Sequence, residues 1–298
     1  MELHFIFNPL ANNGKSGHAM NRIEKYLNKN NIKYCLHATQ YPEHATDIAH
    51  TLTYNKNRKV HIISVGGDGT ANEILNGIRN FDNVVFSIIP TGSGNDFSKN
   101  FDVDYDDHVG TIERQIKNRN KWHYIDFISV NNDKIRALNV LGCGIDSDIL
   151  ECYNSKKWFS PRYRYKMATI QKCLNFSIHD IDFKKDSNKG FIHRQTLIFC
   201  VCNGTRIGGG IKCSNHARVD DGYLTCTYIR KFERVRLIPY MQRMLKYGID
   251  KVKTANKFNC KKICLKLQRP LYEVDGQLKK DTNILKINIV SKKLKFVA

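Results

Sequence analysis

Apolar and polar residues follow a regular rhythm over the first hundred residues, in which a short apolar run precedes apolar residues at helical spacing. The spacing of Met20, Ile23 and Leu27 places three apolar side chains on one face of a helix. The apolar runs that predict strands lie at residues 3–7, 34–38, 60–65 and 84–89. Repeated strand–helix units of this kind favour a parallel sheet with right-handed crossovers.

After residue 120 the pattern changes to short strands with few helices between them. Strands are predicted at residues 124–130, 137–141, 197–201, 224–229, 263–267 and 285–290. Helical segments are predicted at 163–176 and at 234–247, the second with an apolar face of Val235, Ile238, Met241 and Leu245. The sequence therefore predicts an N-terminal α/β domain with a parallel sheet over residues 1–120. A C-terminal β-rich sandwich domain is expected over residues 121–290.

Two glycine-containing turns close the third and fourth predicted strands. Gly66-Gly67-Asp68-Gly69 leads into a helix-like segment, and residues 90–96 repeat the design with small and polar residues. Glycines let the backbone approach a ligand closely, and the N–H groups at a helix start attract anions. Because strand ends of a parallel sheet meet at one edge, we expect the two turns to lie side by side and bind phosphate.

Asp68, Thr70 and Glu73 can each be explained in more than one way. A carboxylate beside phosphate is repulsive unless a cation or a proton transfer accompanies it, so Asp68 indicates catalysis rather than simple anion binding. Thr70 and Glu73 have the spacing of a capping box, which would explain both of them as the start of a helix.

Five segments of the chain together resemble a known family. They are FNPLANNGK (7–15), GGDGTANEILNGI (66–78), PTGSGNDFSKNF (90–101) and, more weakly, GGGIKCSNHARVDDGYL (208–224) and YEVDGQL (272–278). These segments resemble the signatures of the diacylglycerol kinase catalytic-domain family, which includes bacterial lipid kinases and the sphingosine and ceramide kinases. The resemblance implies an ATP-dependent, Mg²⁺-dependent kinase that transfers the γ-phosphate to a lipid hydroxyl, diacylglycerol or a related lipid.

The resemblance also implies which residues bind ATP and what each domain does. Residues 1–120 would be the nucleotide-binding domain, residues 121–290 the lipid-substrate domain, and residues 291–298 a tail that returns to the first domain. The ATP site would contain Asn8, Lys15, Thr39, Gly66, Gly67, Asp68, Gly69, Thr70, Asn72, Glu73 and Ser93. The second turn would contribute Thr91, Gly92, Gly94, Asn95 and Asp96. Asp68 would act at the Mg²⁺–phosphate centre.

A structural Mg²⁺ is implied near the acidic Asp220-Asp221-Gly222 turn. Its ligands would be the carboxylate of Asp221 and the main-chain carbonyls of Arg218 and Tyr223, oxygen donors that suit a hard cation. An ordinary Asp-Gly turn between strands explains the same residues without any metal.

Gln277 departs from the family pattern, whose motif ends in Asp-Gly-Glu. The family glutamate accepts the proton of the lipid hydroxyl, and an amide cannot do so at neutral pH. Either Asp68 or Asp275 takes over as the base, or the protein is a nucleotide- or lipid-binding pseudokinase. An NAD kinase, which has a related GGDGT turn, is less favoured because that family lacks the first and third segments.

Charge is distributed unevenly and indicates the partner of the second domain. Residues 1–120 are neutral by count, so the entire net charge of +20 lies after residue 120. A basic run interleaved with aromatic residues at 156–165 suits a lipid headgroup layer. With a lipid substrate implied, we expect an anionic membrane surface rather than nucleic acid as the partner. The sequence leaves open whether the chain forms a homodimer.

No apolar run reaches the roughly 20 residues that span a bilayer, and the first residues lack the basic leader of a signal peptide. We therefore expect a cytoplasmic protein that associates peripherally with membranes. The ten cysteines have no disulfide-framework spacing, which agrees with a reducing compartment. A zinc site is the alternative for Cys200, Cys202, Cys213 and Cys226.

Overall fold

The computed structural model describes residues 1–155, 161–186 and 188–298, and these fold into two units. The first unit contains Met1–Phe127, Val219–Asp221 and Val290–Ala298, and the second contains Ile128–Arg218 and Gly222–Ile289. No helix in these ranges is both long enough and apolar enough to cross a bilayer. The basic–aromatic run begins at residues 156–160, which lie outside the described part of the chain.

The first unit is an α/β domain built on a parallel sheet. Its strands are β1 (Glu2–Phe7), β2 (Cys35–Ala38), β3 (Val60–Gly66) and β4 (Val84–Pro90). Its helices are α1 (Lys15–Lys29), α2 (His44–Tyr54), α3 (Asp68–Gly77) and α4 (His108–Lys117). The strand order is β2-β1-β3-β4, and every neighbouring pair is parallel.

Burial explains why this sheet forms. Every residue of β3 and β4 is buried, as expected for parallel strands covered on both faces. Met20, Ile23 and Leu27 of α1 pack into the same core as Ile63 of β3 and Ile112 of α4. The helical period read from the sequence therefore identifies the core-facing side of α1 correctly.

The second unit is antiparallel and β-rich. Its strands are β6 (Ile135–Ala137), β7 (Val140–Gly144), β8 (His179–Lys185), β9 (Ile192–Cys202), β10 (Arg206–Ile207), β11 (Ile211–Lys212), β12 (Leu224–Arg230), β13 (Ala255–Cys260), β14 (Lys262–Leu267), β15 (Tyr272–Val274) and β16 (Gln277–Lys279). It also contains residues 128–130 of β5 (His123–Val130) and residues 284–289 of β17 (Ile284–Phe296), and the rest of these two strands belongs to the first unit. Its helices are α5 (Ile145–Ser155), α6 (Pro161–Leu174) and α7 (Leu237–Tyr247). Strand β9 pairs antiparallel with β7, β8 and β12. The predicted fold class, an α/β domain followed by a β-rich sandwich domain, is confirmed.

The end of β17 belongs to the first unit. Lys295 and Phe296 pair in parallel with Val85 and Phe86 of β4, and the Ser87 hydroxyl donates a hydrogen bond of 2.8 Å to the carbonyl of Val297. The end of β17 thus pairs with β4, which would otherwise be the edge strand of the parallel sheet.

The structure differs from the sequence prediction around residue 138. One strand was expected over 137–141, but β6 ends at Ala137 and β7 begins at Val140. The N–H groups of Leu138 and Asn139 donate to the carboxylate of Asp275 at 2.7 and 3.0 Å. Because a side chain takes these two donors, the backbone leaves the strand ladder between them.

Two helices and one helix orientation were not predicted correctly. The sequence analysis did not predict α4 or α5. Of the predicted apolar face of this segment, Met241 packs against the core, but the prediction is wrong for Val235, Ile238 and Leu245, which are exposed. Tyr240 of α7 is buried instead, and Leu237, Met241 and Met244 pack against the core of the second unit.

Candidate active site

The two glycine turns contact each other at the carboxyl edge of the parallel sheet. Strands β3 and β4 pair through to Gly66 and Pro90, and the N–H of Thr91 donates to the Gly66 carbonyl at 2.9 Å. A Cβ atom on Gly92 would lie 2.3 Å from the Cα of Gly67. Only residues without a side chain can approach this closely, so glycine is required at the contact.

Helix α3 starts at this contact and presents its N-terminus there. Gly67 is the N-cap residue, and no side chain caps the helix. The predicted capping box is wrong, because the helix begins two residues before Thr70 and the Glu73 carboxylate accepts the N–H of Ala45 at 3.3 Å. The N–H groups of the first turn are thus left for an anion, which the helix dipole also favours.

The Asp68 carboxylate joins the two turns. Its oxygens accept the N–H groups of Asp96 and Phe97, each at 2.9 Å. Burial raises the pKa of Asp68, and the N–H of Phe97 opposes that shift. Each carboxylate oxygen retains a second acceptor position, so Asp68 can hold the second turn and still present oxygen to a hydrated Mg²⁺.

Side chains of the second turn are held within the turn itself. The Asn95 amide donates to the Gly92 carbonyl at 2.9 Å, and Lys99 donates to the Gly94 carbonyl at 2.7 Å. Lys99 also pairs with the Asp96 carboxylate at 3.1 Å. These contacts fix the backbone of the turn, which is what close binding of a phosphate requires.

Asn12 is a residue of this site that the sequence analysis missed. Its amide donates to the Thr91 carbonyl at 3.1 Å, and its carbonyl oxygen accepts the Ser93 hydroxyl at 3.4 Å. The neighbouring Ser16 hydroxyl bonds to the Thr91 hydroxyl. Asn12 lies within the first resembling segment, so its polar side chain between two predicted elements was the available signal.

The remaining predicted ATP residues fall into two groups. Asn8 and Thr39 follow β1 and β2, and therefore lie at the same edge of the sheet as the glycine turns. Lys15 is the first residue of α1 and is exposed. By contrast, Glu73 bonds towards α2, and the buried Asn72 accepts a hydrogen bond from Asn76 one turn along α3. These contacts lead to α2 and along α3, and the role of the two residues in binding ATP stays a prediction.

In the second unit, Asp275 and Gln277 lie on the β15–β16 hairpin. The Asp275 carboxylate accepts a third N–H, from Val140, at 3.0 Å, in addition to those of Leu138 and Asn139. Asp275 therefore anchors the start of β7. Gln277 is half-buried and pairs across the hairpin with Val274.

A buried carboxylate that the sequence did not indicate lies on the other face of this hairpin. Glu273 pairs with Gly142 of β7, and a Cβ atom on Gly142 would lie 1.7 Å from Oδ2 of Asp146 and 3.1 Å from Cγ of Glu273. Both acidic side chains thus converge over Gly142. Because side chains alternate along a strand, Glu273 and Gln277 face opposite sides of the hairpin.

Asp146 is electrostatically strained in the folded protein. Both of its carboxylate oxygens are buried, and no hydrogen bond of ordinary geometry reaches either of them from the described residues, although the N–H of Ser147 is close enough to act on the carboxylate. Burial raises the pKa of Asp146 to about 7, and the N–H of Ser147 and the charge of His179 offset only part of that rise. In contrast, Asp148, one residue further along α5, pairs with His179 at 3.0 Å and with Arg269 at 3.3 Å.

The predicted structural metal and the zinc alternative concern other residues. Asp221 belongs to the first unit, whereas Arg218 and Tyr223 belong to the second, and their role as metal ligands stays a prediction. Within the described ranges, no three His, Cys, Asp or Glu side chains are grouped as a metal site would require. Cys202 and Cys213 approach to 3.3 Å between sulfurs, while Cys226 lies 3.8 Å from Cys260.

Two family models match the chain in succession. The model described as the diacylglycerol kinase catalytic domain matches residues 2–129. The model described as the YegS C-terminal NAD kinase beta sandwich-like domain matches residues 139–296.

Curated relatives carry lipid kinase names. "Putative lipid kinase YtlR" of Bacillus subtilis is 29% identical over 147 residues, which cover 48% of this chain and 48% of that protein. "Probable lipid kinase YegS-like" of Shewanella frigidimarina is 24% identical over 239 residues, or 79% of this chain and 72% of that protein. The chain thus spans about half the length of the first of these relatives.

A solved structure shares the fold over the whole chain. It is described as the "Crystal structure of a putative diacylglycerol kinase from Bacillus anthracis", with a TM-score of 0.77 and 18% identity. The match covers 99% of this chain and 94% of that one. With both family models matched in order, this chain belongs to the lipid kinase family that joins a diacylglycerol kinase catalytic domain to a YegS-type β-sandwich domain.

Proposed function

We propose that the protein is an ATP-dependent lipid kinase that transfers the γ-phosphate of ATP to the hydroxyl group of diacylglycerol or a related lipid at a membrane surface. The observation that carries this proposal is the contact of Gly67 with Gly92 at the start of α3. Two glycine turns and an uncapped helix N-terminus meet there, which is the arrangement that polyphosphates require. The names of the relatives supply the lipid acceptor.

Binding of the nucleotide would rest on backbone N–H groups rather than on many cations. The first turn of α3 provides donors and the positive end of a helix dipole, and the second turn is braced by Asp68 and Lys99. Lys15 lies at the start of α1 and is exposed. We expect this lysine to contact a phosphate of the bound nucleotide. Rigid donors aimed at developing charge are the main source of catalysis in phosphoryl transfer.

Magnesium would be held by Asp68 together with the phosphates themselves. The carboxylate fits this role because its oxygens are hard donors with acceptor positions left beyond the N–H groups of Asp96 and Phe97. Bound Mg²⁺ would neutralise charge on the transferred phosphoryl group. Asp68 itself would keep the two turns in register while the phosphate binds.

The test is nucleotide binding in a variant that separates the turns. Gly92→Val adds a side chain whose Cβ would meet Gly67 Cα at 2.3 Å, so ATP–Mg²⁺ should no longer raise the melting temperature. The wild type should gain about 2.7 kcal/mol at a hundredfold excess of ATP over its Kd. Gly17→Ala in α1 is the control, since its Cβ would meet only the Pro9 carbonyl at 3.6 Å. ATP binding by Gly92→Val at wild-type affinity would remove the proposed site.

A pseudokinase is the second candidate, and Gln277 favours it. Asp275, the nearest carboxylate in sequence, is buried and accepts three backbone N–H groups, which stabilise its ionised form and make it a poor replacement for the missing base. If no group accepts the proton, Gln277→Glu should raise kcat by about 10²–10⁴-fold with little change in the KM for ATP. The assay is transfer of labelled phosphate from ATP to a panel of lipids. A wild-type turnover equal to that of Gln277→Glu would show that another base already serves.

A further inference from the structure

The outer face of α7 exposes several large apolar side chains together. In α7, Ile238 is 68% exposed and Leu245 61%, and Val235, in the short turn that precedes the helix, is 81% exposed. The helix does not need this face for the core of its own unit, because Tyr240 and Met244 pack there from the opposite side. Single exposed apolar residues are ordinary, but a cluster of them on one element indicates a surface that contacts something apolar.

A positively charged cleft lies beside this face. It has a volume of about 460 Å³ and is lined by Lys212, Asn215, Arg243, Lys246, Tyr247 and Lys251. Within the described ranges, no carboxylate forms an ion pair with any of its four cations. The cleft therefore presents uncompensated positive charge on a floor of polar groups.

Asp250, next to Lys251 in the chain, offsets only part of the charge of the four cations. The Asp250 side chain is buried, and its carboxylate is held by the Asn215 amide at 2.6 Å and lies 4.0 Å from His216. Arg243 is also positioned, because its guanidinium donates to the Lys251 carbonyl and lies over the Tyr247 ring, 5.8 Å from the centroid. The shape of the cleft is thus fixed by these contacts, while Lys212 forms no ion pair with the described residues and Lys246 lies over the Tyr247 ring, 5.0 Å from its centroid, without a carboxylate partner.

Apolar and cationic groups alternate at short range on this surface. Leu245 precedes Lys246 in the helix, and Ile238 lies two turns earlier on the side of Leu245. A soluble polyanion such as nucleic acid would use the cations and leave the apolar side chains in water. An acidic bilayer satisfies both, since acyl chains take the apolar groups and phosphates take the cations.

We propose that α7 and the adjoining cleft are the docking surface of this protein for acidic phospholipid bilayers, with one headgroup phosphate bound between Lys212 and Lys246. The proposal deepens the proposed function, because an enzyme that phosphorylates a membrane lipid must reach the bilayer. It places the contact on a specific element rather than on the basic half of the chain as a whole.

The test compares two double variants of the full-length chain on vesicles. Lys212→Gln/Lys246→Gln removes the free cations and retains Arg243, whose hydrogen bond maintains the cleft. At about a fivefold loss per basic residue, binding to vesicles of equal phosphatidylglycerol and phosphatidylcholine should weaken by about 30-fold. Ile238→Ser/Leu245→Ser should weaken it by about tenfold or more, because two side chains no longer enter the interface. Co-sedimentation at constant ionic strength measures both.

The matched control removes two exposed cations from the other unit. Lys29→Gln/Lys33→Gln changes the net charge equally but leaves α7 intact. We expect it to bind vesicles within about twofold of the wild type, because neither lysine belongs to α7 or lines the cleft. An equal loss in this control would show that net charge alone drives binding and would overturn the docking surface. Wild-type vesicle binding by the two α7 variants would overturn it as well.

Further arms separate this surface from other occupants and from the kinase proposal. The lipid assignment would be overturned if the α7 variants bound DNA or inorganic phosphate more weakly than the wild type did, while the wild type did not bind vesicles. Dimerisation lost in Ile238→Ser/Leu245→Ser, with vesicle binding unchanged, would identify a second copy as the occupant instead. Phosphorylation of a short-chain lipid in detergent should be unaffected by the α7 variants. Absence of any kinase activity, with α7-dependent docking intact, would refute the proposed function alone.

Discussion

The Asp146 carboxylate should make the folded protein less stable as the pH rises. Its pKa is raised by burial from 3.8 to about 7, so the folded state binds its proton more tightly than the unfolded state does. A raised pKa contributes stability that is fully present below pH ~4 and is lost as the pH rises through about 7. Asp146→Asn cannot ionise, so the variant should not lose this contribution.

The magnitude follows from the difference between the two pKa values. A rise from 3.8 to about 7 corresponds to about 4 kcal/mol of unfavourable free energy for the ionised form at pH 8. This is an upper limit, because relaxation of the protein and entry of water around an ionised carboxylate reduce the cost. We expect Asp146→Asn to be about 1–4 kcal/mol more stable than the wild type at pH 8 and about equal to it at pH 4.

Urea unfolding followed by circular dichroism, in buffers from acid to alkaline pH, measures the difference between variant and wild type. Titrating groups that do not interact with Asp146 are common to both proteins and cancel in this comparison. Asp148→Asn is the control, since it breaks the ion pairs with His179 and Arg269 and should destabilise the protein. A difference between Asp146→Asn and the wild type that does not change with pH would refute the reasoning.

Three further predictions concern a buried histidine, an exposed cysteine and a buried phenylalanine. Burial lowers the pKa of His61 to about 3, so stability should fall as the pH decreases from 6.5; His61→Gln should lose less in the same urea assay. Among the ten free cysteines, Cys35 is exposed, Cys264 is half-buried and the other eight are buried, and burial raises the pKa of thiols such as Cys143. Ellman's reagent should therefore react rapidly with Cys35 and more slowly with Cys264 in the native protein, and the rapid reaction should be absent in Cys35→Ser. Phe296→Ala should cost about 3–5 kcal/mol of unfolding free energy, because the buried ring stacks on Phe101 at 4.5 Å. Lys293→Ala, an exposed control, should stay within about 0.5 kcal/mol of the wild type by the same denaturation measurement.

The first domain could be predicted from sequence because its signals are local. Apolar runs of strand length end directly at glycines, and parallel pairing then brings Gly67 and Gly92 to one edge. The start of α3 was misplaced by two residues, since Thr70 and Glu73 imitate a capping box that the backbone does not form. The spacing of Thr70 and Glu73 therefore predicts the presence of the helix correctly but predicts the wrong N-cap.

The features of the second unit depend on contacts between distant residues. Asp146 becomes buried because β15 pairs with β7 and places Glu273 beside Gly142. No local sequence pattern predicts this strand pairing. Helix α7 carries two competing apolar faces, and periodicity alone did not show which one the core selects. The choice is made by aromatic packing of Tyr240 against Phe232, whose ring centroids lie 4.8 Å apart.

The placement of residues 290–298 in the first unit has a consequence for synthesis in the cell. A ribosome produces the parallel strands first, yet the strand that covers the edge of β4 follows only after the entire second unit. At about 5–20 residues per second, the nascent α/β unit waits on the order of ten seconds with that edge uncovered. An uncovered strand edge is a template for aggregation, so chaperone capture is expected in this interval. Ribosome-arrested chains that stop at residue 289 should be cleaved by protease within the first unit, whereas chains released at full length should resist.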